Sequence, residues 1–410
     1  MISLELAEVA RLCPGRLMTA VGAERIAGVQ VDSRRIAPGE LFVAVGAGEQ
    51  FVDDALERGA AAAIVPDDAL SALAALGGAV RDLSAARVVG ITGSVGKTST
   101  KDILAAICGP RARTVAAEAS YNNEIGVPLT LCRLDPETEV CVLELAMRGL
   151  GQIAELCAFA RPDVGVITTI GPAHIEPLGS LESIVQAKSE LLTALPPGGT
   201  AIVPEGFRVT RDDVDVVHLT EPDARVVDGR TLIRWDGREI AFDFTARHQA
   251  RNALAALHAA RAVGVEAGDA VEVAFSKWRG EEVPLAGGGL LVNDAYNANP
   301  ISMRAALDYL VQRAEGRRTV AVLGEMAELG AESRRYHEEI GQLVRNLGID
   351  VVIGVGDLAR SYEADTWCPD ATAAVDVTRR LVEPGDCVLV KASRAAGLEL
   401  VAEALATVHA

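Results

Sequence analysis

The sequence contains no uninterrupted apolar stretch of the roughly 18 residues that a membrane-spanning helix needs. Its first residues, MISLELAEVARLCPG, carry acidic side chains early and lack the basic start and apolar block of a secretory signal. We therefore expect a cytoplasmic protein that has no membrane partner.

Paired cysteines are also absent. The chain has seven cysteines, which are scattered, form no CxxC pair and lie mostly inside apolar runs. Such residues are typical of small core side chains in a reduced compartment rather than of disulfides.

Basic residues are in the minority, because 39 Lys and Arg stand against 57 Asp and Glu and give a net charge of −18. This excess of negative charge argues against a nucleic-acid partner. It does not exclude a phosphate ligand, since backbone amides and a few local cations decide that affinity. We expect the protein to be a monomer.

At 410 residues the chain is long for a single core, and its pattern predicts an α/β protein of three domains. Residues 1–84 contain short strand-like segments and an alanine-rich helix. Residues 85–278 alternate apolar strands with helices, which is typical of a parallel sheet covered on both faces. Residues 279–410 repeat that rhythm and resemble a Rossmann-like fold in outline. They carry no GxGxxG after their first strand, so we assign them no nicotinamide cofactor.

The segment VVGITGSVGKTST places a glycine-rich turn between a strand and a helix. Amides of such a turn bind phosphate, a lysine reaches the outer phosphates, and a threonine hydroxyl coordinates magnesium. The strict P-loop pattern requires glycine where the chain has Ile91, so a glycine-rich turn with an accidental lysine is the alternative. The strand–turn–helix context favours ATP binding. The predicted ATP-binding residues of this turn are Gly93, Ser94, Gly96, Lys97, Thr98 and Ser99.

A magnesium ion held by Thr98 needs further ligands, and open α/β sheets bind ligands at the carboxyl ends of their strands. Two later strands end in suitable groups. Glu144 lies near the end of VCVLELA, and His174 follows VGVITTIGPA. Each could be an ordinary solvated side chain, but their place beside one phosphate loop favours a metal site.

Lys188 lies on the apolar stripe of a predicted helix over residues 180–195, four residues after Ile184 and three before Leu191. Two interpretations stay open. The lysine extends its ammonium past the helix edge to water. Alternatively, burial and a nearby cation keep the amine neutral, and it takes up carbon dioxide to become an anionic carbamate that faces magnesium.

Five segments together resemble the Mur ligases of peptidoglycan synthesis, over nearly the whole chain. They are TGSVGKTS, SYNNEIGVPLTL, GPAHIEPLGSLESIVQAKSELL, NDAYNANPISMRAAL and VLGEMAELG. The resemblance implies a UDP-binding N-terminal domain, a central P-loop ATPase domain and a C-terminal Rossmann-like domain. It also implies an ATP-dependent ligase that works through an acyl phosphate. UDP-N-acetylmuramoyl-tripeptide would supply the acid and D-Ala-D-Ala the amine.

The resemblance also assigns roles to individual residues. It implies that Lys188 is carbamylated and supports a magnesium ion, and that Glu144 and His174 are metal ligands. With Thr98 they form the predicted metal-binding set, in which a second magnesium would be held by His174 and the Lys188 carbamate. It places the nucleotide base at Asn252. Further ATP contacts are implied for Arg279, Asp294, Tyr296 and Asn297.

Two pairs of residues are assigned to the sugar-nucleotide substrate by the same resemblance. Ser33 and Arg34 match the UDP-binding stretch, and Asn122 and Asn123 would line the muramoyl-peptide site. The N-terminal segment LFVAVGAGEQFVDDAL departs from the family because it is shorter and lacks a DGH-like turn. Trp278 stands where the family has glycine, and Thr169 where it has asparagine.

These departures keep two alternatives open, a sister ligase with another amino-acid acceptor and a nucleotide-binding paralogue without catalytic activity. The DAYNANP segment argues against the first, and the intact Lys97, Glu144, His174 and Lys188 argue against the second. His337 has no assigned role, because a place at the site and a solvated helix face are equally compatible with its sequence.

Overall fold

The computed structural model describes residues 1–172 and 175–409. The chain divides into two compact units and crosses from one to the other five times, twice within a helix. The first unit comprises 1–168, 186–243 and 251–273, and the second comprises 169–185, 244–250 and 274–410. The first unit therefore contains most of the first two predicted blocks, and the second contains most of the third.

The amino-terminal part of the first unit is a small α/β layer. Its elements are β1 (Leu4–Glu5), α1 (Leu6–Leu12), β2 (Gly15–Thr19), β3 (Arg25–Ile26), β4 (Val29–Gln30), β5 (Leu41–Val43), α2 (Val52–Glu57), β6 (Ala62–Pro66) and α3 (Ala69–Leu83). The sheet order is β2-β6-β5-β4, with β2 antiparallel to β6 and the other pairs parallel. Phe42, Val52 and Ala55 pack together in its core.

A six-stranded sheet forms the centre of the first unit. Its strands, with the helices that lie between them along the chain, are β7 (Arg87–Thr92), α4 (Lys97–Cys108), β8 (Thr114–Ala116), α5 (Gly126–Leu131), β9 (Val140–Glu144), α6 (Gln152–Ala160), β10 (Val164–Ile167), α7 (Ile175–Leu178), α8 (Leu181–Thr193), β11 (Thr200–Pro204) and β12 (Asp215–Leu219). Of these, α7 and the first residues of α8 belong to the second unit. The order is β12-β11-β10-β7-β9-β8 and all pairs are parallel, which confirms the predicted parallel sheet.

Two paired glycines let α8 approach this sheet closely. Gly90 on β7 and Gly165 on β10 are register partners. A Cβ atom at Gly90 would lie 3.0 Å from the Leu191 side chain, and one at Gly165 would lie 3.1 Å from it. Because α8 connects the parallel strands β10 and β11, its amino-terminal part lies toward the carboxyl ends of the strands. Lys188, one turn before Leu191, therefore lies nearer to the end of the sheet at which the glycine-rich turn follows β7.

A small four-stranded sheet completes the first unit and was missed from the sequence. It is formed by β13 (Ala224–Val227), β14 (Arg230–Trp235), β15 (Arg238–Phe242) and, after α9 (Arg247–Ala262), β16 (Ala270–Val271). Its two hairpin turns are Asp228-Gly229 and Asp236-Gly237, in which all four residues have positive φ. Asp-Gly is the typical dipeptide of this two-residue turn, so the signal was present in the sequence.

The second unit contains another open α/β sheet, as predicted. Its elements are β17 (Glu281–Leu285), β18 (Gly289–Asp294), α10 (Pro300–Ala314), β19 (Thr319–Gly324), α11 (Ser333–Leu347), β20 (Val351–Val355), β21 (Thr366–Cys368), α12 (Ala371–Leu381), β22 (Cys387–Lys391) and α13 (Glu399–His409). The order is β17-β18-β22-β19-β20-β21, parallel except for β17. Apolar cores lie on both faces.

All seven cysteines are buried and unbridged, which agrees with the prediction that they are core side chains. Burial raises the pKa of the Cys13 and Cys387 thiols to about 11, so both stay protonated at neutral pH. Among the helices that the structure describes, none combines the length and the apolarity needed to cross a membrane.

Candidate active site

The turn between β7 and α4 has the backbone of a phosphate-binding loop. Gly93 has φ of +148° and Gly96 has φ of +89°, which only glycine adopts without strain. A Cβ atom at Gly96 would come within 2.4 Å of the side-chain oxygen Oδ1 of Asn252, so the side chain of Asn252 on α9 packs directly against the loop. The amides at the start of α4 and its dipole favour an anion at this end of the sheet.

Two side chains fix the loop from inside. The Lys97 ammonium, at the first position of α4, donates to the Gly93 carbonyl over 2.8 Å. The Thr168 hydroxyl donates to the Val95 carbonyl over 2.5 Å, and its amide donates to Thr92 over 2.9 Å. Thr168 was missed from the sequence. A pair of threonines at the end of the strand next to β7 was the signal that could have indicated it.

Thr98 and Glu144 meet at the carboxyl end of the central sheet. The Thr98 hydroxyl donates to one oxygen of the Glu144 carboxylate over 2.8 Å. The side-chain amide of Asn122 donates to the other oxygen, also over 2.8 Å. Glu144 is only 1% exposed, so its carboxylate is stabilised by these two neutral hydrogen-bond donors in place of water.

This donor set fits a hard divalent cation such as magnesium. Magnesium prefers oxygen ligands and is usually bound by one or two protein groups together with phosphate oxygens and water. Within residues 1–172 and 175–407, no cluster of three or more His, Cys, Asp or Glu side chains is arranged as a metal site. One hydroxyl and one carboxylate beside a phosphate loop are nevertheless enough protein ligands for magnesium, because phosphate oxygens and water supply the others. His174, the third predicted ligand, lies outside the described residues.

Lys188 is buried on the inner face of α8 and is 2% exposed. Its neighbours on the stripe, Ile184 and Leu191, are fully buried, as the periodicity predicted. The pKa of Lys188 is lowered well below its ordinary value, first by burial and second by the positive charge of Lys97. Lys188 thus does not extend to water, and its amine is biased toward the neutral form.

The two predicted asparagines of the loop before α5 have different partners. Asn122 contacts Glu144, as described above. The Asn123 side-chain oxygen accepts the amide hydrogens of Ile125 and Gly126 over 3.3 and 3.0 Å, and so caps the start of α5. The rest of the Asn123 side chain is exposed.

Ser33 and Arg34 make their described contacts within the amino-terminal layer. Ser33 is 5% exposed, and its hydrogen bond to Asp54 lowers the pKa of that carboxyl. The exposed guanidinium of Arg34 forms a two-pronged ion pair with Asp32 over 2.9 and 2.7 Å. This pair lowers the pKa of Asp32 to about 2.

The residues predicted in the second unit are grouped at the carboxyl ends of β18 and β22. The Arg279 guanidinium lies over the Tyr296 ring at 3.9 Å, and its buried Nε has no hydrogen-bond partner among the described residues. Asp294 accepts a hydrogen bond from Lys391 over 2.5 Å, and Lys391 also donates to the Asn297 carbonyl over 2.8 Å. Lys391 is 1% exposed and was missed from the sequence. Both strands end at this pair, since Asp294 and Lys391 are register partners.

His337 is fully buried, so the predicted alternative of a solvated helix face is wrong. Its Nε2 accepts the Met326 amide hydrogen over 3.0 Å, and its Nδ1 lies 2.7 Å from the Ser333 carbonyl oxygen. This pattern requires the neutral ring with the proton on Nδ1. Burial lowers the pKa of His337 in agreement with that state.

Comparison with known proteins gives two family matches. Residues 91–260 match the Mur ligase middle domain, and residues 278–394 match the Mur ligase, glutamate ligase domain. Curated relatives of the chain carry the name UDP-N-acetylmuramoyl-tripeptide–D-alanyl-D-alanine ligase. The Mycobacterium bovis protein is 36% identical over 78% of this chain and 72% of its own length. The Escherichia coli protein is 32% identical over 96% and 92%, and the Bacillus subtilis protein 30% over 97% and 97%.

Solved structures show the same relationship. MurF from Acinetobacter baumannii superposes with a TM-score of 0.85 at 26% identity, over 98% of this chain and 99% of its own. MurF ligase from Thermotoga maritima in complex with ADP superposes with a TM-score of 0.80 at 26% identity, over 93% and 97%. These three curated relatives are 30–36% identical to the chain over 72–97% of their own length, so the chain belongs to the Mur ligase family.

Proposed function

We propose that the chain is an ATP-dependent ligase that adds D-Ala-D-Ala to UDP-N-acetylmuramoyl-tripeptide in peptidoglycan precursor synthesis. The observation that carries this function is the phosphate loop, whose Thr98 is hydrogen-bonded to the strand-end carboxylate of Glu144 over 2.8 Å. The Escherichia coli and Bacillus subtilis relatives, which are named for this activity, align over 92% and 97% of their own length. Their names support the same pair of substrates.

The chemistry explains why ATP is required. A carboxylate is a poor electrophile, and joining it to an amine in water is uphill. The γ-phosphoryl group of ATP is transferred to a carboxylate oxygen of the tripeptide, and ADP leaves. The amine of D-Ala-D-Ala then attacks the acyl carbon, loses a proton, and the phosphate departs as the amide bond forms. The protein's contribution is positioning and charge neutralisation.

Lys97 and the loop amides neutralise charge on the transferred phosphate. In the structure the Lys97 ammonium is held by the Gly93 carbonyl over 2.8 Å, at the mouth of the loop. A short movement of its flexible side chain exchanges this carbonyl for a phosphate oxygen. Thr168 keeps the loop in shape meanwhile, because its hydroxyl holds the Val95 carbonyl.

We also propose that magnesium is bound by Thr98, Glu144, His174 and a carbamate on Lys188. When bound, it offsets the negative charge of the phosphates and the acyl oxygen. The burial of Lys188 and its lowered pKa support the carbamate, since only a neutral amine adds carbon dioxide. The Asn122 amide orients the Glu144 carboxylate for this role.

The remaining assignments are proposals of the same kind. Asn252 would contact the nucleotide base, which its packing against Gly96 supports. ATP contacts are also proposed for Arg279, Asp294, Tyr296 and Asn297, which are grouped at one end of the second-unit sheet. Substrate contacts are proposed for Ser33, Arg34, Asn122 and Asn123. We retain 1–84, 85–278 and 279–410 as the UDP-binding, ATPase and ligase domains.

We propose in addition that the protein acts in the cytoplasm as a monomer, without a membrane or nucleic-acid partner. Seven unbridged, buried cysteines support a reducing compartment. The net charge of −18 is unfavourable for binding nucleic acid.

The test of the activity is phosphate release from ATP in the presence of UDP-N-acetylmuramoyl-tripeptide. Three acceptors are compared at equal concentration: D-Ala-D-Ala, diaminopimelate and glutamate. We expect acceptor-dependent phosphate release with D-Ala-D-Ala alone, together with a product that is heavier by one dipeptide less water.

Other results would contradict the proposal. Release that depends on diaminopimelate or glutamate would identify a sister ligase. ATP binding without release under any acceptor would identify a nucleotide-binding protein that has lost catalysis.

A further inference from the structure

Lys101 is a buried cation that the reaction described above does not use. It lies on α4, one turn after Lys97, and is 3% exposed. A buried ammonium is costly unless its donors are all matched. Its Nζ donates to the carbonyls of Ala117 and Ala119 over 2.9 and 3.3 Å and forms an ion pair with Asp102 at 2.7 Å.

Both carbonyls belong to the segment that follows β8 and leads to the two predicted substrate asparagines. We call residues 117–123 the β8–α5 loop. Ala119 in this loop has φ of +44°, a left-handed conformation that is unfavourable for alanine and persists only where the surroundings impose it. The hydrogen bond from Lys101 to the Ala119 carbonyl is one such restraint.

The loop is also held at the surface. Arg35 donates to the Tyr121 hydroxyl over 3.0 Å and to Glu118 over 3.2 Å. Arg133 donates to the Ala116 carbonyl, just before the loop, over 3.0 Å and pairs with Glu118 at 3.3 Å. These guanidinium groups are about half exposed, so solvent weakens their hold, whereas Lys101 acts from the interior.

The loop ends in a direct contact with the catalytic centre. Asn122 donates its side-chain amide to Glu144, and its carbonyl accepts the Ala146 amide hydrogen over 2.9 Å. Thr98 on α4 donates to the other oxygen of Glu144. Helix α4 thus reaches this carboxylate twice, directly through Thr98 and indirectly through Lys101 and the loop.

We propose that Lys101 is a positioning residue that joins the nucleotide-binding helix α4 to the β8–α5 loop. It contacts neither ATP nor the muramoyl substrate. It sets the distance between the phosphate loop and the asparagines at 122 and 123 by holding the backbone that carries them. This inference rests on the proposed function for its substrate assignment, but the physical link between α4 and the loop does not depend on it.

The test compares Lys101→Met, which keeps the length of the side chain and removes its donors, with Lys101→Arg. Arg133→Met is the matched control, since it removes a surface donor to the carbonyl of Ala116. Steady-state kinetics are measured with ATP and with UDP-N-acetylmuramoyl-tripeptide as the varied substrate. Hydrogen–deuterium exchange is followed in peptides that cover 117–123 and the phosphate loop.

For Lys101→Met we expect kcat/KM for the muramoyl substrate to fall roughly 10- to 100-fold, the usual cost of a misplaced site. The KM for ATP should change by less than about threefold, since the phosphate loop is untouched. Lys101→Arg should recover part of the loss, and Arg133→Met should cost much less. Exchange in 117–123 should rise roughly tenfold or more while the phosphate loop stays protected.

Equal losses for both substrates, unchanged kinetics, or an equal loss in Arg133→Met would each overturn the proposal. If Lys101→Met fails to fold, Lys101→Gln, whose shorter amide cannot satisfy both carbonyls, is measured in its place against the same criteria. If wild-type protein shows no turnover with any acceptor, the proposed function fails. The exchange experiment then still decides whether Lys101 holds the loop.

Discussion

The guanidinium of Arg394 lies over the indole ring of Trp278, with its central carbon 4.5 Å from the ring centroid. Trp278 occupies a position with φ of +61°, a left-handed conformation that is unfavourable for any residue but glycine. Its carbonyl also accepts the Tyr296 amide hydrogen over 3.3 Å, and the next residue, Arg279, lies over the Tyr296 ring. The strained backbone at Trp278 therefore lies beside two cation–π contacts, one with Arg394 and one between Arg279 and Tyr296.

Replacing Trp278 separates the strain from the stacking. Trp278→Ala loses the contact with Arg394 but keeps the left-handed backbone, whereas Trp278→Gly loses the contact and relieves the strain. We therefore expect the glycine variant to be more stable than the alanine variant by about 1 kcal/mol. Urea unfolding of the two variants measures this difference.

Arg394, the residue that stacks on Trp278, supplies the control for this experiment. Arg394→Gln should destabilise the wild-type protein and have a much smaller effect in the Trp278→Ala background, as a double-mutant cycle requires for a direct contact. Equal effects of Arg394→Gln in both backgrounds would show that the ring and the guanidinium do not stabilise each other.

Much of the candidate site could be predicted because its signals are local. The glycines at 93 and 96 are required by their positive φ, and Lys97 must follow them at the helix start. The inward position of Lys188 followed from helical periodicity, and the residue is 2% exposed. Local geometry dictates these features, and neighbouring residues alone encode them.

Other contacts could not be predicted, because they depend on the order of strands in a sheet. Lys391 pairs with Asp294 across 97 positions, since β22 lies beside β18. Sequence does not specify that neighbourhood directly. The bond between Asn122 and Glu144 depends likewise on how the loop after β8 returns to β9. The four-stranded sheet of β13 to β16 is a different case, because its two Asp-Gly dipeptides are a local signal that predicts hairpins.

Glu144 allows a test of the proposed magnesium site that does not need turnover. Glu144→Gln keeps the size of the side chain and one acceptor for Thr98, but removes the negative charge. We expect its melting temperature without ligand to stay close to that of the wild type. The stabilisation by ADP with magnesium should fall, with an apparent affinity weaker by roughly 10- to 100-fold.

Thermal unfolding over a series of magnesium concentrations at constant ADP measures this effect. Glu137→Gln is the matched control, because that carboxylate is 80% exposed and lies on the surface. An unchanged response to magnesium in Glu144→Gln would exclude Glu144 as a ligand.

His337 should make the stability of the protein depend on pH. Its folded pKa is lowered, so the unfolded chain binds a proton that the folded chain does not accept. Stability is fully present above the unfolded pKa of about 6.5 and is lost as pH falls below it. His248 and His258 also have lowered pKa values. The effect of His337 is therefore the difference in pH dependence between wild-type protein and a variant that lacks this histidine.

The variant for that difference is His337→Asn, which cannot be protonated. Wild-type protein should lose up to about 1 kcal/mol more than the variant between pH 7.5 and pH 5.5 in urea unfolding, because one pKa unit corresponds to about 1.4 kcal/mol. The variant itself should be less stable at pH 7.5, since the Met326 amide loses its acceptor. Parallel pH profiles would show that His337 accepts a proton equally well in the folded protein.

Lys188 is the residue on which the proposed metal site depends most. Its pKa is lowered by burial and by Lys97, so a fraction of the amine is neutral and can react with carbon dioxide. The product is an anion in a place where a cation is unfavourable. A carboxylic acid of similar shape should therefore do part of its work if the lysine is removed.

Lys188→Ala should abolish phosphate release, and added formate, acetate or propionate should partly restore it. The cavity left by the side chain determines which acid fits best, so restoration should vary with the length of the acid. Lys277→Ala, at an exposed lysine, is the control and should keep full activity without added acid. Direct evidence for the carbamate would be a ¹³C resonance from labelled carbon dioxide that is present in wild-type protein and absent from Lys188→Ala. Full activity in the alanine variant would mean that the buried amine takes no part in holding the phosphates or the metal, and that its burial serves the packing of α8 alone.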